Sequence, residues 1–339
     1  MANTMKAARF LTQGGDLQIV DIEIPQPKAG EVRMKVHACG VCNSDKVVKM
    51  GILGNPYPRT PGHEAAGVVD AVGEGVSRFK KGDRVGLGWY AGHCGNCTPC
   101  EENVWSCCDR GQIAGVSIDG GYAEYAVARE SAFARIPDDL SFEEAAPLMC
   151  AGVTVFNAMR NQDIRPGELV AIQGVGGLGH LAVQYASKMG FKVVAISSGA
   201  DKEQFAKELG AAHYINVGPG VDAAAELTKL GGAKMIVATA PNAESINPLV
   251  KGLKIGGKLL VVGLPFEPLS ISVFDLLQRN ASVGSWSAGD SRDSEATMKF
   301  AAAKDVKAKI EIFPLSEAQK AYDRMMENKA RFRCVLKIV

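Results

Sequence analysis

An α/β chain of two domains, the first β-rich and the second built on a parallel sheet, is predicted by three observations. Residues 5–130 break into short alternations of apolar and polar residues separated by glycine and proline turns. After about residue 150 the pattern changes to apolar runs that alternate with helical stretches. A glycine-rich turn, GVGGLG, sits at the first strand-to-helix junction of that second region. The 339 residues are enough for two ordinary domains, and a hydrophobic content of 47% suits packed cores.

In the first region, residues 32–38 read VRMKVHA. Val32, Met34, Val36 and Ala38 alternate with Arg33, Lys35 and His37, the period of a strand with one buried face. His37 is expected on the polar side. Residues 65–72, 84–88 and 122–128 are further strand candidates, and the turns GEG and KGD bound the first two. Together they predict a small β-rich barrel. In the second region ELVAIQ, KVVAIS, MIVATA and KLLVVG read as strands, and HLAVQYASKMG and KEQFAKELGA as helices. The tail SEAQKAYDRMMENKARFRCVLKIV reads as a helix and a final strand that returns to the first domain.

Charge and cysteine usage exclude several classes. With 38 basic and 37 acidic residues mixed along the chain and a net charge of +1, there is no electrostatic footprint for nucleic acid. Apolar stretches are interrupted well before the roughly 18 residues a membrane span requires. Nine cysteines, an odd number crowded into particular segments without a secretory leader, argue for reduced thiolates serving metals in a cytoplasmic protein.

Four of them, Cys94, Cys97, Cys100 and Cys108 in GHCGNCTPCEENVWSCCD, have the C-x2-C-x2-C-x7-C spacing that wraps one tetrahedral zinc. Four thiolates leave no open position, so this metal would stabilise a lobe and perform no chemistry. Cys107 is an extra neighbouring thiol.

GVGGLG follows ELVAIQ and precedes a helical pattern, the context of a dinucleotide-binding turn. Gly174 permits the tight turn, Gly176 and Gly177 with Leu178 line the approach to a pyrophosphate, and Gly179 allows close packing of helix on strand. At the end of the next strand, AISSGADK, Ser197 and Ser198 stand where a carboxylate would hold a ribose hydroxyl, with Lys202 shortly beyond. Serines and a lysine suit a 2′-phosphate and favour NADP(H). Asp201 turned inward is the alternative, and it favours NAD(H).

A second ligand set is dispersed: Cys42 in CGVCNSD, His63 in PGHE and Cys150 in PLMCAGVT. Two thiolates and one imidazole leave a fourth position for water or substrate. The alternative is three unrelated residues, with the cysteines in apolar packing and His63 on a backbone carbonyl. Through CGVCNSD, PGHEAAGVV, GDRVG, the four-cysteine lobe, DGGYAEY, MCAGVTV and GVGGLG, the chain resembles the zinc-dependent alcohol dehydrogenases of the medium-chain dehydrogenase/reductase superfamily along essentially its whole length.

The resemblance implies a GroES-like catalytic domain over 1–150 and 286–339, a Rossmann cofactor domain over 151–285, and a cleft between them. It makes Cys42, His63 and Cys150 ligands of a catalytic zinc and the lobe cysteines ligands of a structural zinc, two ions per chain; Cys39 is not a ligand. Asp45 and Glu64 support the ligands, with Asp45 paired to Arg333, which is also counted among the cofactor-binding residues. Ser44 contacts the alcohol oxygen, Thr154 lies beside nicotinamide, and Trp89 walls the substrate pocket. Trp286 and Leu264 either approach the cleft or pack in the core.

Many relatives carry a histidine where this chain has Val47, so the proton path would run through Ser44, ribose hydroxyls and water, or through Lys46 if it points inward. His180 is expected to pack or lie at the surface. The reading is an alcohol dehydrogenase or aldehyde reductase acting on small alcohols or aldehydes, and a homo-oligomer, tetramer over dimer. A nonenzymatic nucleotide-binding regulator would not need the open ligand set, and a zinc-free quinone reductase would need neither set.

Overall fold

The computed structural model describes residues 3–339, which form two compact units. One joins the residues up to Val153 to Ala288–Val339, and the other is Thr154–Ser287.

The first unit opens on an antiparallel hairpin, β1 (Thr4–Phe10) with β2 (Leu17–Glu23). Its main sheet is organised by β3 (Glu31–Gly40), where Val32, Met34, Val36 and Ala38 are fully buried and the residues between them are not. The apolar face therefore goes to a core shared with Phe10, Tyr122, Phe133 and Tyr322. His37 lies on the other face, stacked on Phe142 at 4.6 Å. Next to β3 runs β4 (Ala65–Val72), antiparallel, with Cys39 opposite Ala65. Then follow β5 (Arg84–Leu87), the short pair β6 (Tyr90–Gly92) and β7 (Gln112–Ile113), β8 (Tyr125–Arg129) and β9 (Phe133–Arg135). The strand expected from residue 122 starts only at Tyr125. Gly120, Gly121 and Tyr122 instead donate their N–H groups to the carbonyls of Thr60, Gly62 and Pro61, which turns the fully buried Tyr122 inward.

In the second unit β10 (Leu169–Gln173), β11 (Lys192–Ser197), β12 (His213–Asn216), β13 (Ala233–Ala238), β14 (Leu253–Val261) and β15 (Ser282–Ser285) form one parallel sheet in the order β12-β11-β10-β13-β14-β15. Every residue of β10 is buried, as in a strand covered on both faces. Strand order reverses at β10, and such a switch point opens a crevice at the carboxyl ends of the strands. GVGGLG lies there.

The chain then returns to the first unit. β16 (Ile310–Pro314) and β17 (Arg333–Lys337), joined by the helix Ala318–Met326, complete a seven-stranded sheet in the order β16-β17-β3-β4-β5-β9, with β8 also on β3. β17 runs antiparallel to β3 and sets Leu336 opposite Cys39, the return expected of the tail. β16 has no sequence signal because it is an edge strand with Ile312 53% exposed. No helix among the described residues is long and apolar enough to cross a membrane.

The β3–β4 contact is tight at Gly67, where a β-carbon would stand 2.0 Å from the Lys35 carbonyl oxygen. Gly67→Ala must push the strands apart, at a cost of about 1–3 kcal/mol. The urea midpoint should fall accordingly, and an unchanged midpoint would show that the two strands separate freely.

Candidate metal centres and cofactor loop

β3 and β4 are antiparallel neighbours, so the residues just after β3 and just before β4 emerge at one end of the sheet. Cys42 and His63 occupy those positions. Cys150 reaches them from the turn between the 3-10 segment Ala146–Met149 and the helix Ala151–Arg160. Its sulfur is 3.8 Å from that of Cys42, and one ligand atom each from Cys42, His63, Glu64 and Cys150 all lie within 4.8 Å of one another. Two sulfurs on a tetrahedral zinc are also about 3.8 Å apart, from a Zn–S bond of about 2.3 Å.

The surroundings are closed and charged. Asp45, His63 and Glu64 are fully buried, and Arg333 is nearly so. Asp45 accepts the Cys42 N–H at 3.0 Å and the Tyr122 hydroxyl at 2.7 Å, and its other oxygen is 3.3 Å from His63 Nδ1. Arg333 pairs with Glu64, not with Asp45 as expected: β17 brings the guanidinium in beside the residue that precedes β4, while Tyr122 and His63 take up Asp45. The Trp89 ring meets His63 edge-on at 4.9 Å.

His63 Nδ1 has its contact with Asp45, but among the described residues His63 Nε2 and Glu64 Oε2 have no hydrogen-bond partner. That oxygen faces Gly40, where a β-carbon would stand 1.9 Å away. Orphaned buried polar atoms are costly, and here they converge with two sulfurs. The hydrogen bond with Cys150 lowers the Cys42 thiol well below its usual range, aided by His63, and the same bond with burial raises Cys150. Burial pushes the Glu64 carboxyl up to about 8 despite Arg333. Soft sulfurs and an imidazole around an unmet need for positive charge fit a zinc ion.

The four-cysteine lobe has the same spacing of sulfurs. Neighbouring pairs lie at 3.4 Å (Cys97 and Cys100), 3.5 Å (Cys94 and Cys108), 3.7 Å (Cys97 and Cys108) and 3.9 Å (Cys94 and Cys100). Cys107 is exposed and outside the group. The Asn96 N–H and then the neighbouring sulfurs draw the Cys94 thiol down to about 6. The lobe is tied by a stack in which His93 lies on Trp105 at 4.3 Å and the Arg292 guanidinium sits 3.5 Å from the Trp105 ring centre.

Ser44 occupies the N-cap of the helix Asp45–Met50, but its hydroxyl makes no capping bond. Val47 on that helix is buried. Thr154 lies one turn beyond Cys150 and is half-buried. Leu264 and Trp286 are exposed, which removes their core-packing reading.

In the glycine turn each residue has a distinct geometry. Gly174 has φ +89°, Gly176 has open space where a side chain would stand, and a β-carbon at Gly179 would stand 1.7 Å from the Gly174 carbonyl oxygen. Gly177 and Leu178 complete the turn, and Leu178 precedes the helix Gly179–Lys188. His180 is fully buried behind it. Thr239, which sequence reasoning missed, donates its hydroxyl to the carbonyls of Gln173 and Gly174 and braces the turn. Its only trace in the sequence is its place at the end of MIVATA. Ser197 is buried, Ser198 exposed, and Lys202 half-buried with no ion pair among the described residues.

Two family models match the chain, the alcohol dehydrogenase GroES-like domain over residues 28–138 and the zinc-binding dehydrogenase over residues 177–303. The chain is 46% identical to alcohol dehydrogenase patD of Penicillium expansum over 334 residues, 98% of each chain. It is 41% identical to an alcohol dehydrogenase of Geobacillus stearothermophilus over 338 residues, 98% of this chain and 100% of that one. Its fold is similar to that of a cinnamyl alcohol dehydrogenase of Sorghum bicolor, with a TM-score of 0.90, 31% identity, and 98% of this chain and 97% of that one covered. The chain belongs to the zinc-type medium-chain dehydrogenase/reductase family of alcohol dehydrogenases.

The two cysteine groups have separable consequences. Cys42→Ala and His63→Ala should each remove one equivalent of zinc and leave most of the folded signal, whereas Cys94→Ala should lower the melting temperature first. Metal analysis paired with thermal unfolding reads both; full zinc retention in Cys42→Ala would overturn the ligand set.

Proposed function

We propose that the chain is a zinc-dependent alcohol dehydrogenase and aldehyde reductase that exchanges hydride with NADP(H), holding two zinc ions. The observation that carries this is the convergence of buried Cys42 and His63 with half-buried Cys150, the His63 Nε2 facing no hydrogen-bond partner among the described residues. When bound there, zinc supplies the Lewis acidity that acidifies an alcohol or polarises a carbonyl, and the nicotinamide carries the hydride.

The protein's own groups do the rest. Asp45, held by Tyr122 and the Cys42 N–H, stands at His63 Nδ1 and so directs the other ring nitrogen to the ligand position. Burial raises the Glu64 carboxyl and Arg333 pairs with it, so that it adds little negative charge beside the thiolates. Ser44, whose hydroxyl is not spent on the helix end, takes the alcohol proton and passes it to water, and returns it when a carbonyl is reduced. Val47 cannot extend that path. Trp89 packs against the apolar part of the substrate, and Thr154 lies beside the nicotinamide.

Ser198 and the unpaired Lys202 support NADP(H), since both can bond a 2′-phosphate. One observation favours NAD(H): the Asp201 carboxylate folds back over Gly199, 2.3 Å from where a β-carbon there would stand. Homo-oligomerisation, which the family resemblance reads as a tetramer over a dimer, is supported by the exposure of five large apolar side chains, Leu264, Phe266, Val273, Phe274 and Leu277, within a short stretch of sequence.

Rates with NADP(H) and NAD(H), over short alcohols and aromatic aldehydes, test the reading together with a zinc count. Two zincs per chain and preference for NADP(H) are expected; one zinc per chain with retained activity would favour a zinc-free reductase. Ser198→Asp should cut the NADP(H)/NAD(H) preference about tenfold or more, the effect of a like charge beside the phosphate. Leu277→Glu should reduce the particle mass measured by light scattering, and a wild-type chain that is already monomeric would end the oligomer reading.

A further inference from the structure

The segment that follows β11 is tied to the edge strand β12 at several points. The Tyr214 hydroxyl donates to the Gly199 carbonyl at 2.7 Å and to the Ser197 carbonyl at 3.1 Å. Asn216 Oδ1 accepts the Gly199 N–H at 3.0 Å, and the Val217 N–H donates to the same Ser197 carbonyl at 3.1 Å. Strand register explains the reach: Ala195 lies opposite Tyr214 and Ser197 opposite Asn216, so both side chains stand beside the last residues of β11. Gly199 has φ +95°, a left-handed conformation that turns the chain out of the strand and into the helix Asp201–Glu208. Lys202 N–H closes the turn on the Gly199 carbonyl at 3.3 Å. The carbonyl that Tyr214 holds is thus the one on which the lysine's own backbone is seated.

Tyr214 and Asn216 touch neither the hydroxyl of Ser198 nor the ammonium of Lys202. They hold the backbone from which both project. We infer that Tyr214 and Asn216 are positioning residues that set discrimination at the adenosine 2′ position, by fixing the turn that presents Ser198 and Lys202 to a 2′-phosphate. The inference rests on the NADP(H) reading and deepens it. Its physical basis is preorganisation. A turn already seated in its binding geometry spends little of the phosphate's interaction energy on ordering itself, whereas a loose turn must be ordered at each binding event. Binding of the rest of the adenosine does not use this turn in the same way, so the effect should be selective for the 2′-phosphate.

The test uses the intact zinc-loaded protein and two probes, adenosine 2′,5′-bisphosphate and AMP, titrated by calorimetry against wild type, Tyr214→Phe, Asn216→Ala and Ser198→Asp. Tyr214→Phe keeps the ring and removes only the hydroxyl; Asn216 is exposed, so its replacement tests the same turn without disturbing the core. Tyr214→Phe and Asn216→Ala should each weaken the bisphosphate by about tenfold, the worth of a lost hydrogen bond, and AMP by less than twofold. Equal weakening of both probes would assign the two residues to general support of the domain and overturn the inference, as would bisphosphate affinity unchanged in both variants. Ser198→Asp separates the premise from the inference. If it leaves the bisphosphate/AMP ratio of the wild type intact, the NADP(H) reading itself fails; if it collapses that ratio while the β12 variants do not, only the positioning role is lost.

Discussion

The buried charge at one end of the first unit's sheet is the constraint around which the rest is arranged. Asp45, His63, Glu64 and Arg333 are withdrawn from water beside the buried Cys42 and the half-buried Cys150. Ionised groups survive such burial only when each has a partner. Arg333 answers Glu64, Tyr122 and a backbone amide answer Asp45, and the remainder is a cluster of donor atoms whose own partners are missing. The fold around it is therefore constrained: position 40 must be glycine to leave room for Glu64, and β17 must lie beside β3 to deliver its arginine.

Much of this architecture was legible in the sequence because it is periodic or punctuated. The two-residue alternation of β3 and the unbroken apolar run of β10 each identify a strand and the number of its faces that are covered. The two clusters of donor atoms were legible for a different reason, since cysteine and histidine in CGVCNSD, PGHE and the four-cysteine lobe carry chemistry that ordinary surface residues do not. Pairing between distant side chains was not. Nothing along the chain distinguishes Asp45 from Glu64 as the partner of Arg333; only the register of β17 on β3 and of β3 on β4 decides it. Tyr122, Thr239 and Tyr214 escaped for the same reason, because a lone hydroxyl has no pattern.

The second unit shows how little side-chain chemistry a cofactor turn requires. Its glycines are defined by what a β-carbon would strike or leave open, and its brace is one threonine hydroxyl. The end of β11 differs, for there serine, lysine and aspartate side chains lie within six residues of sequence, 197–202.

The ion pair between Glu64 and Arg333 joins residues 269 positions apart, across the whole of the second unit. During synthesis the carboxylate emerges before its cation, with the whole of the second unit made in between. A nascent chain that has not yet reached β17 would have to leave the carboxylate hydrated or protonated, and with it the sheet end open. Closure of this sheet end is in this way deferred until all the residues of the second unit have been made.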